Sequence, residues 1–137
     1  MVWQPLLLNQ ICGVNTIKTV SEGVPYEFVD FSQILPVACP CGEARRAFVD
    51  APDFPATLHV TDISVDAQKH YHQRHIEVYY FLQCQPEAKM ELNEKTIPVE
   101  VGQAILIRPG TRHRAVGKMK VLILSFPKFD PQDEWVD

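Results

Sequence analysis

The chain has 137 residues, 46% of them hydrophobic and 22% charged, with a formal net charge of -4. That size suits one domain with its own apolar core, and the composition excludes a disordered chain. The charge is mild and forms no basic stripe, which argues against a nucleic-acid partner. No apolar run approaches the ~18 residues of a membrane helix, so no membrane association is expected.

The start, Met1-Val2-Trp3-Gln4-Pro5-Leu6-Leu7-Leu8, lacks the basic stretch and small-residue cleavage site of a signal peptide, so a cytoplasmic location is expected. Cysteines at 12, 39, 41 and 84 show no disulfide-framework spacing and read as free thiols. Residues 1–44 read as an N-terminal extension. Leu6 to Leu8 and Ile11 are apolar without period, a candidate surface for pairing two copies into a homodimer. Tyr26 to Phe31 alternates and predicts a short strand. Cys39-Pro40-Cys41-Gly42 predicts a tight turn carrying two thiols; a zinc site needs about four ligands, and no second pair stands near. Arg45 and Arg46 read as a solvated pair, with one of them able to meet a carboxylate on a partner or ligand.

A barrel core is expected over about residues 45–126. Ala47-Phe48-Val49 predicts a strand, and Ala51-Pro52-Asp53-Phe54-Pro55 a turn, because two prolines cannot extend a central ladder. Thr57 to Val65 is alternating and rich in β-branched residues, with Leu58 and Val60 on one face and His59, Thr61 and Ile63 on the other. Glu77 to Leu82 is the clearest strand; if Glu77 faces inward, so do Tyr79 and Phe81. Ala88 to Leu92 and Thr96 to Val101 predict a hairpin about Asn93-Glu94-Lys95. Ala104 to Ile107 is another strand, and Pro109-Gly110 a turn. Lys120 to Phe126 is apolar through most of its length, as in a strand covered on both faces. The polar tail, 127–137, is expected to lie over the surface, anchored by Trp135. No stretch has helical periodicity, so the class is all-β, a barrel or jelly roll formed by a single domain over 1–137.

The chemistry concentrates in Lys69-His70-Tyr71-His72-Gln73-Arg74-His75-Ile76-Glu77 and in His113. His70 and His72 are two apart, so on a strand both imidazoles point to one face. Glu77 lies at an odd offset from His72, and a short turn through Gln73 to Ile76 returns its carboxylate to that face. His113 follows the turn at Pro109-Gly110. Together they predict a metal site of three imidazoles and one carboxylate. His75, inside the turn, is expected to face solvent.

The order and spacing resemble the cupin family. His70, His72 and Glu77 match its first motif, and Gly102, Gly110 and His113 hold their places in its second. Ser64 and Cys84 stand where glycines are expected, Arg108 where a proline is, and Gly117 where an asparagine is. The resemblance covers about residues 57–126. It implies a double-stranded β-helix (jelly-roll) barrel of the small single-domain kind, with His70, His72, Glu77 and His113 as metal ligands. Such a donor set suits iron, manganese, nickel or zinc.

The expected function is a metal-binding cupin, an enzyme of oxygenase or isomerase type acting on a small polar compound. The alternative is a non-catalytic binding or sensor module, including a sugar-binding one, whose metal is structural. Tyr79 is the catalytic candidate beside the metal. His59, Phe81 and Arg108 are candidate pocket residues, against the plainer readings of His59 as a structural or surface histidine, Phe81 as core filler and Arg108 as surface charge. Arg108 or Arg112 is a candidate partner for a ligand carboxylate or phosphate.

Overall fold

A computed structural model describes residues 25–64 and 66–137. The apolar Leu6–Leu8 and Ile11, expected at a homodimer surface, and Cys12 lie outside the described residues. Nine strands follow one another: β1 (Val37–Cys39), β2 (Gly42–Ala47), β3 (Thr57–Ile63), β4 (Ile76–Cys84), β5 (Lys89–Leu92), β6 (Lys95–Pro98), β7 (Ala104–Ile107), β8 (His113–Val116) and β9 (Met119–Phe126). They form a six-stranded antiparallel sheet, β1-β2-β3-β9-β4-β7, and a three-stranded one, β6-β5-β8. Between them the inward faces bury one core, the arrangement of an all-β jelly-roll barrel. Among the described residues no helix is long and apolar enough to cross a membrane.

The period of two expected from the sequence decides what faces inward. Thr57, His59, Thr61 and Ile63 alternate with half-buried residues along β3, and Glu77, Tyr79 and Phe81 are the buried positions of β4. The inward residues change character along the barrel. Thr57, Ser125 and Glu77 are aligned across β3, β9 and β4 at one end, while Ile63 and Cys84 are both paired with Met119 at the other. Phe81, Met90, Val121 and Met119 fill the apolar end, which supplies cohesion. The polar end is left for chemistry.

Several local expectations are corrected. Tyr26 to Phe31 forms no strand; Asp30 accepts a hydrogen bond from Ser32 N at 2.9 Å and starts a short 3-10 turn, Phe31–Gln33. This is local side-chain capture competing with strand pairing. The strand expected at Ala47 to Val49 lies earlier, at Gly42–Ala47, and ends where Phe48 adopts a φ of 62°. The sheet therefore begins at Val37, inside the stretch read as an extension. Cys39-Pro40-Cys41-Gly42 is the tight hairpin turn expected. A Cβ on Gly42 would lie 2.2 Å from the Asp62 carbonyl oxygen, so no other residue fits. β9 is covered on one face only, with Val121 and Ile123 buried and Leu124 and Phe126 exposed.

Candidate metal centre

Two strand-like contacts assemble the site. His70 and His113 exchange both backbone hydrogen bonds, at 3.1 and 2.8 Å, which sets their rings side by side with centroids 4.4 Å apart. Gly110 N donates to His72 O at 2.7 Å, tying the turn before β8 to the His70–His72 segment. The chain then bends at Gln73-Arg74 and enters β4 with Glu77 facing inward. His70, His72, Glu77 and His113 are all buried, and one donor atom from each lies within 4.8 Å of the others.

The orientation of each imidazole is set from behind. Nδ1 of His70 is 3.1 Å from Gln68 O, Nδ1 of His72 is 2.8 Å from Asp133 O, and Nδ1 of His113 is 2.9 Å from Thr111 O. A carbonyl only accepts, so each Nδ1 carries the proton and donates, and each neutral ring turns its Nε2 lone pair to the centre. Nε2 of His72 and of His113 each lie 3.2 Å from Glu77 Oε2. These three atoms are buried and have no hydrogen-bond partner. Facing acceptors repel unless a cation or protons stand between them. Ligands about 2.1 Å from a common ion sit about 3.0–3.4 Å apart when adjacent, so the observed spacing fits a divalent cation.

The electrostatics agree. Burial would push the Glu77 carboxyl up, but the His113 and His72 imidazoles facing it, which favour its ionised form when protonated, prevail and hold it well below the usual carboxylate range. Burial alone would lower His72, yet Glu77 beside it raises it. His70, buried and facing His113, falls to about 4. Without a metal, protons shared with Glu77 satisfy the cluster; a cation replaces them.

The segment that positions this site came from a place the sequence did not signal. The tail does not merely lie over the surface. Its Asp133, 2% exposed, accepts from the backbone amides of Gln73, Arg74 and His75 at 3.1, 2.9 and 3.1 Å, and its own carbonyl holds His72. His75 is buried, contrary to expectation, with Nδ1 2.9 Å from Asp133 Oδ2 and Nε2 accepting from Asp130 N. His72, His75 and Asp133 also cluster closely enough to suggest a second cation site. His72 Nδ1, His75 Nε2 and the Asp133 carboxylate are already engaged with backbone, so the group acts as a structural clasp.

A narrow cavity of about 260 Å³, counting its open mouth, adjoins the centre. Its walls include His70, Glu77, Tyr79, His59, Thr61, Arg46, Cys39, Cys41, Phe129 and Glu134. His59 therefore lies where the sequence placed it. Its Nε2 is 2.8 Å from Thr57 Oγ1, and burial followed by the nearby Arg46 lowers it to about 4. Tyr79 is 2% exposed, with its ring 5.9 Å from that of His113, and burial keeps its phenol protonated. Two expectations are corrected. Phe81 belongs to the apolar core, two residues deeper along β4, and Arg108 is exposed on the turn after β7. Arg112 also leaves the site, pairing with Asp137 and stacking 4.3 Å over the Tyr71 ring. Glu134 was missed, the two thiols were read only as part of a turn, and Arg46 was one of two arginines between which the sequence did not choose. Cys39 Sγ and Cys41 Sγ are 2.8 Å apart, and the hydrogen bond from Cys41 brings the Cys39 thiol to about 7. Glu134 is raised by burial.

An all-β barrel with three imidazoles and a carboxylate gathered at its polar end has the architecture of a cupin. Residues 60–125 match the family model of the cupin domain, and the chain belongs to the cupin family. A crystal structure of a protein from Planctomyces limnophilus is 40% identical, with a TM-score of 0.78, over 84% of this chain and 99% of that one. A Streptomyces nucleoside dehydratase (19% identity, TM-score 0.67, 83% of this chain and 95% of that one) shares the fold. So does ectoine synthase from P. lautus (16%, 0.64, 78% and 82%). No curated protein matches the sequence.

Proposed function

We propose that the protein is a metal-dependent enzyme of the cupin family that rearranges a small polar compound without redox chemistry, closer to an isomerase than to an oxygenase. The observation that carries this reading is the convergence of the buried, unpartnered His72 Nε2, His113 Nε2 and Glu77 Oε2 beside a cavity. A divalent cation bound there would act as a Lewis acid on a substrate oxygen. The chain's own residues supply the rest. Glu134 brings a second carboxylate to the cavity, with a pKa raised toward the range useful for moving a proton. Neutral His59 can accept a hydrogen bond or a proton, and the Tyr79 phenol donates and does not act as a base. Two thiols in the cavity wall favour the non-oxidative reading, because thiols beside an oxygen-activating centre are themselves oxidised.

The structural neighbours include enzymes, a nucleoside dehydratase and an ectoine synthase, and at their identities they speak to the fold. The test is in two parts. Protein purified without added metal should carry close to one equivalent of a divalent metal, and H72A and H113A should lose it. Metal-loaded protein should then exchange carbon-bound hydrogen of a small hydroxy- or oxo-compound with deuterium from solvent, followed by proton NMR. Oxygen consumption without exchange would restore the oxygenase reading. Tight binding with neither would make the protein a binding module.

A further inference from the structure

We infer that Arg46 and Thr61 form an anion subsite facing the metal centre, and that the ligand of this protein is a short carboxylic acid bearing a carbonyl or hydroxyl oxygen. This inference rests on the metal-dependent reading above and names the chemical class that the site takes.

Consecutive residues of β2 point to opposite faces, and the two arginines divide accordingly. Arg45 turns outward and pairs with Asp62 at 3.3 Å. Arg46 turns inward, where its register partner is His59, and Thr61 lies two residues along β3. Its guanidinium lies 4.1 Å over the Phe129 ring, which fixes the plane of the fork. Phe129 is itself pinned, with its amide donating to Thr57 Oγ1 at 3.2 Å and its ring held edge-on to His59 and stacked on His75.

Arg46 is therefore held in place, yet among the described residues no carboxylate reaches it within ion-pair distance. Its Nε is buried and has no partner. Thr61 is 1% exposed, and its Oγ1 is likewise buried and unpartnered. Apart from atoms of the metal cluster and its clasp, these are the orphaned buried side-chain polar atoms among the described residues, and both belong to residues of one cavity wall. Native proteins leave few such groups unsatisfied, because each costs free energy unless something occupies it. A planar two-oxygen anion matches a guanidinium fork plus a hydroxyl donor.

Charge selects the same ligand. With a divalent cation in place, the cation and Arg46 outweigh Glu77 and Glu134, and below about pH 7 the Cys39 thiol adds no charge, so the cavity then carries surplus positive charge that a monoanion offsets. Size narrows it further. As it stands the cavity has room for about one water molecule, so only a short ligand fits, and wall side chains must give way to admit it.

The test uses full-length protein loaded with zinc and two probes that share an acetyl group: pyruvate, with a carboxylate, and hydroxyacetone, without one. Calorimetric titration should give pyruvate at least ~10-fold tighter binding than hydroxyacetone, a charge-assisted bond being roughly twice as strong as a neutral one. R46M removes the guanidinium but keeps an unbranched side chain on the same strand position, and should lose about 10-fold for pyruvate while leaving hydroxyacetone unchanged. T61V should lose less, about threefold, for pyruvate alone. R46K, with charge but no planar fork, should fall between wild type and R46M. Metal analysis and a thermal melt accompany every variant. If R46M retains metal and fold and binds pyruvate within twofold of wild type, the subsite is overturned and the metal reading stands. If no variant or wild type takes up metal, the metal reading has failed. The subsite is then decided in metal-free protein by whether R46M erases the preference for pyruvate.

Discussion

Replacing Asp133 with alanine tests the clasp that supports the metal centre. The carboxylate accepts backbone amides from Gln73, Arg74 and His75 and the indole of Trp135 at 3.3 Å. Bonds to a charged acceptor contribute about 1.5–3 kcal/mol when buried, and much less where water can replace the partner. Gln73 and Arg74 are exposed, so their amides regain water; the buried His75 does not. Counting His75 at about 2 kcal/mol and the two exposed amides at about 0.5 kcal/mol each gives a loss of about 3 kcal/mol. For a domain of this size that lowers Tm by about 9–15 °C. The second effect is on the metal. The Asp133 carbonyl remains in the variant, but the tail that presents it to His72 Nδ1 is released, and loss of such support costs about 10–100-fold in metal affinity. Thermal denaturation and a competitive zinc titration measure the two effects. D133N keeps one acceptor oxygen and should lie between D133A and wild type. A D133A protein melting within about 2 °C of wild type with unchanged zinc affinity would falsify the clasp.

Removing the metal should destabilise the fold, because the lone pairs of His70, His72 and His113 and the Glu77 carboxylate lose their common partner. With metal at ~1,000 times its Kd, the linkage is about 4 kcal/mol, so EDTA should lower Tm by more than ~10 °C, and an unchanged Tm would count against the site. Acid should strip the metal, since ligand imidazoles must be neutral to coordinate; because these ligands are buried and His70 falls to about 4, release is expected at about pH 4, and full retention there would contradict histidine ligation. His59 gives a separate pH signature. Its pKa in the fold, about 4, lies below the ordinary imidazole value of 6.5, so the unfolded chain takes up the proton first. The stability of neutral His59 is complete above about pH 6.5 and is lost as pH falls toward 4, on the order of 3 kcal/mol in total. H59Q should flatten that slope in urea denaturation, and an identical slope refutes the assignment. Cys39, lowered to about 7, should alkylate with a midpoint near neutrality, while Cys84, raised by burial, should need higher pH. Mass spectrometry of iodoacetamide-treated protein reads both sites, and equal pH profiles would be the contrary result.

Much of the barrel was legible because strand burial is a local matter of alternation. His59, Thr61, Glu77 and Tyr79 face inward where period two places them, and the turn at Gln73-Arg74 returns Glu77 to the side of His72 as expected. The errors have physical causes. Tyr26 to Phe31 has strand alternation but no partner strand, and Asp30 captured the backbone instead. Phe81 shares the inward parity of Tyr79 but sits one step further into the apolar end, a distance that parity cannot report. Arg108 lies near His113 in sequence, yet an exposed turn carries it away from the cavity that Arg46, 62 positions earlier, enters from across the barrel.

By itself, then, the sequence determined which residues alternate, where the chain turns, and that three imidazoles and a carboxylate could share a face. Those properties depend on neighbours a few residues apart. Only the tertiary structure decided that Asp133 and Glu134, some sixty residues after His72, complete the site, and that one arginine of an adjacent pair lines the cavity while the other turns to the outer face and pairs with Asp62. Asp133 acts on backbone amides, which every residue possesses, so no side-chain pattern marks its targets. Arg46 meets Phe129 only once the tail has closed over the barrel, and a polar segment with two prolines carries no periodic sign that it will do so.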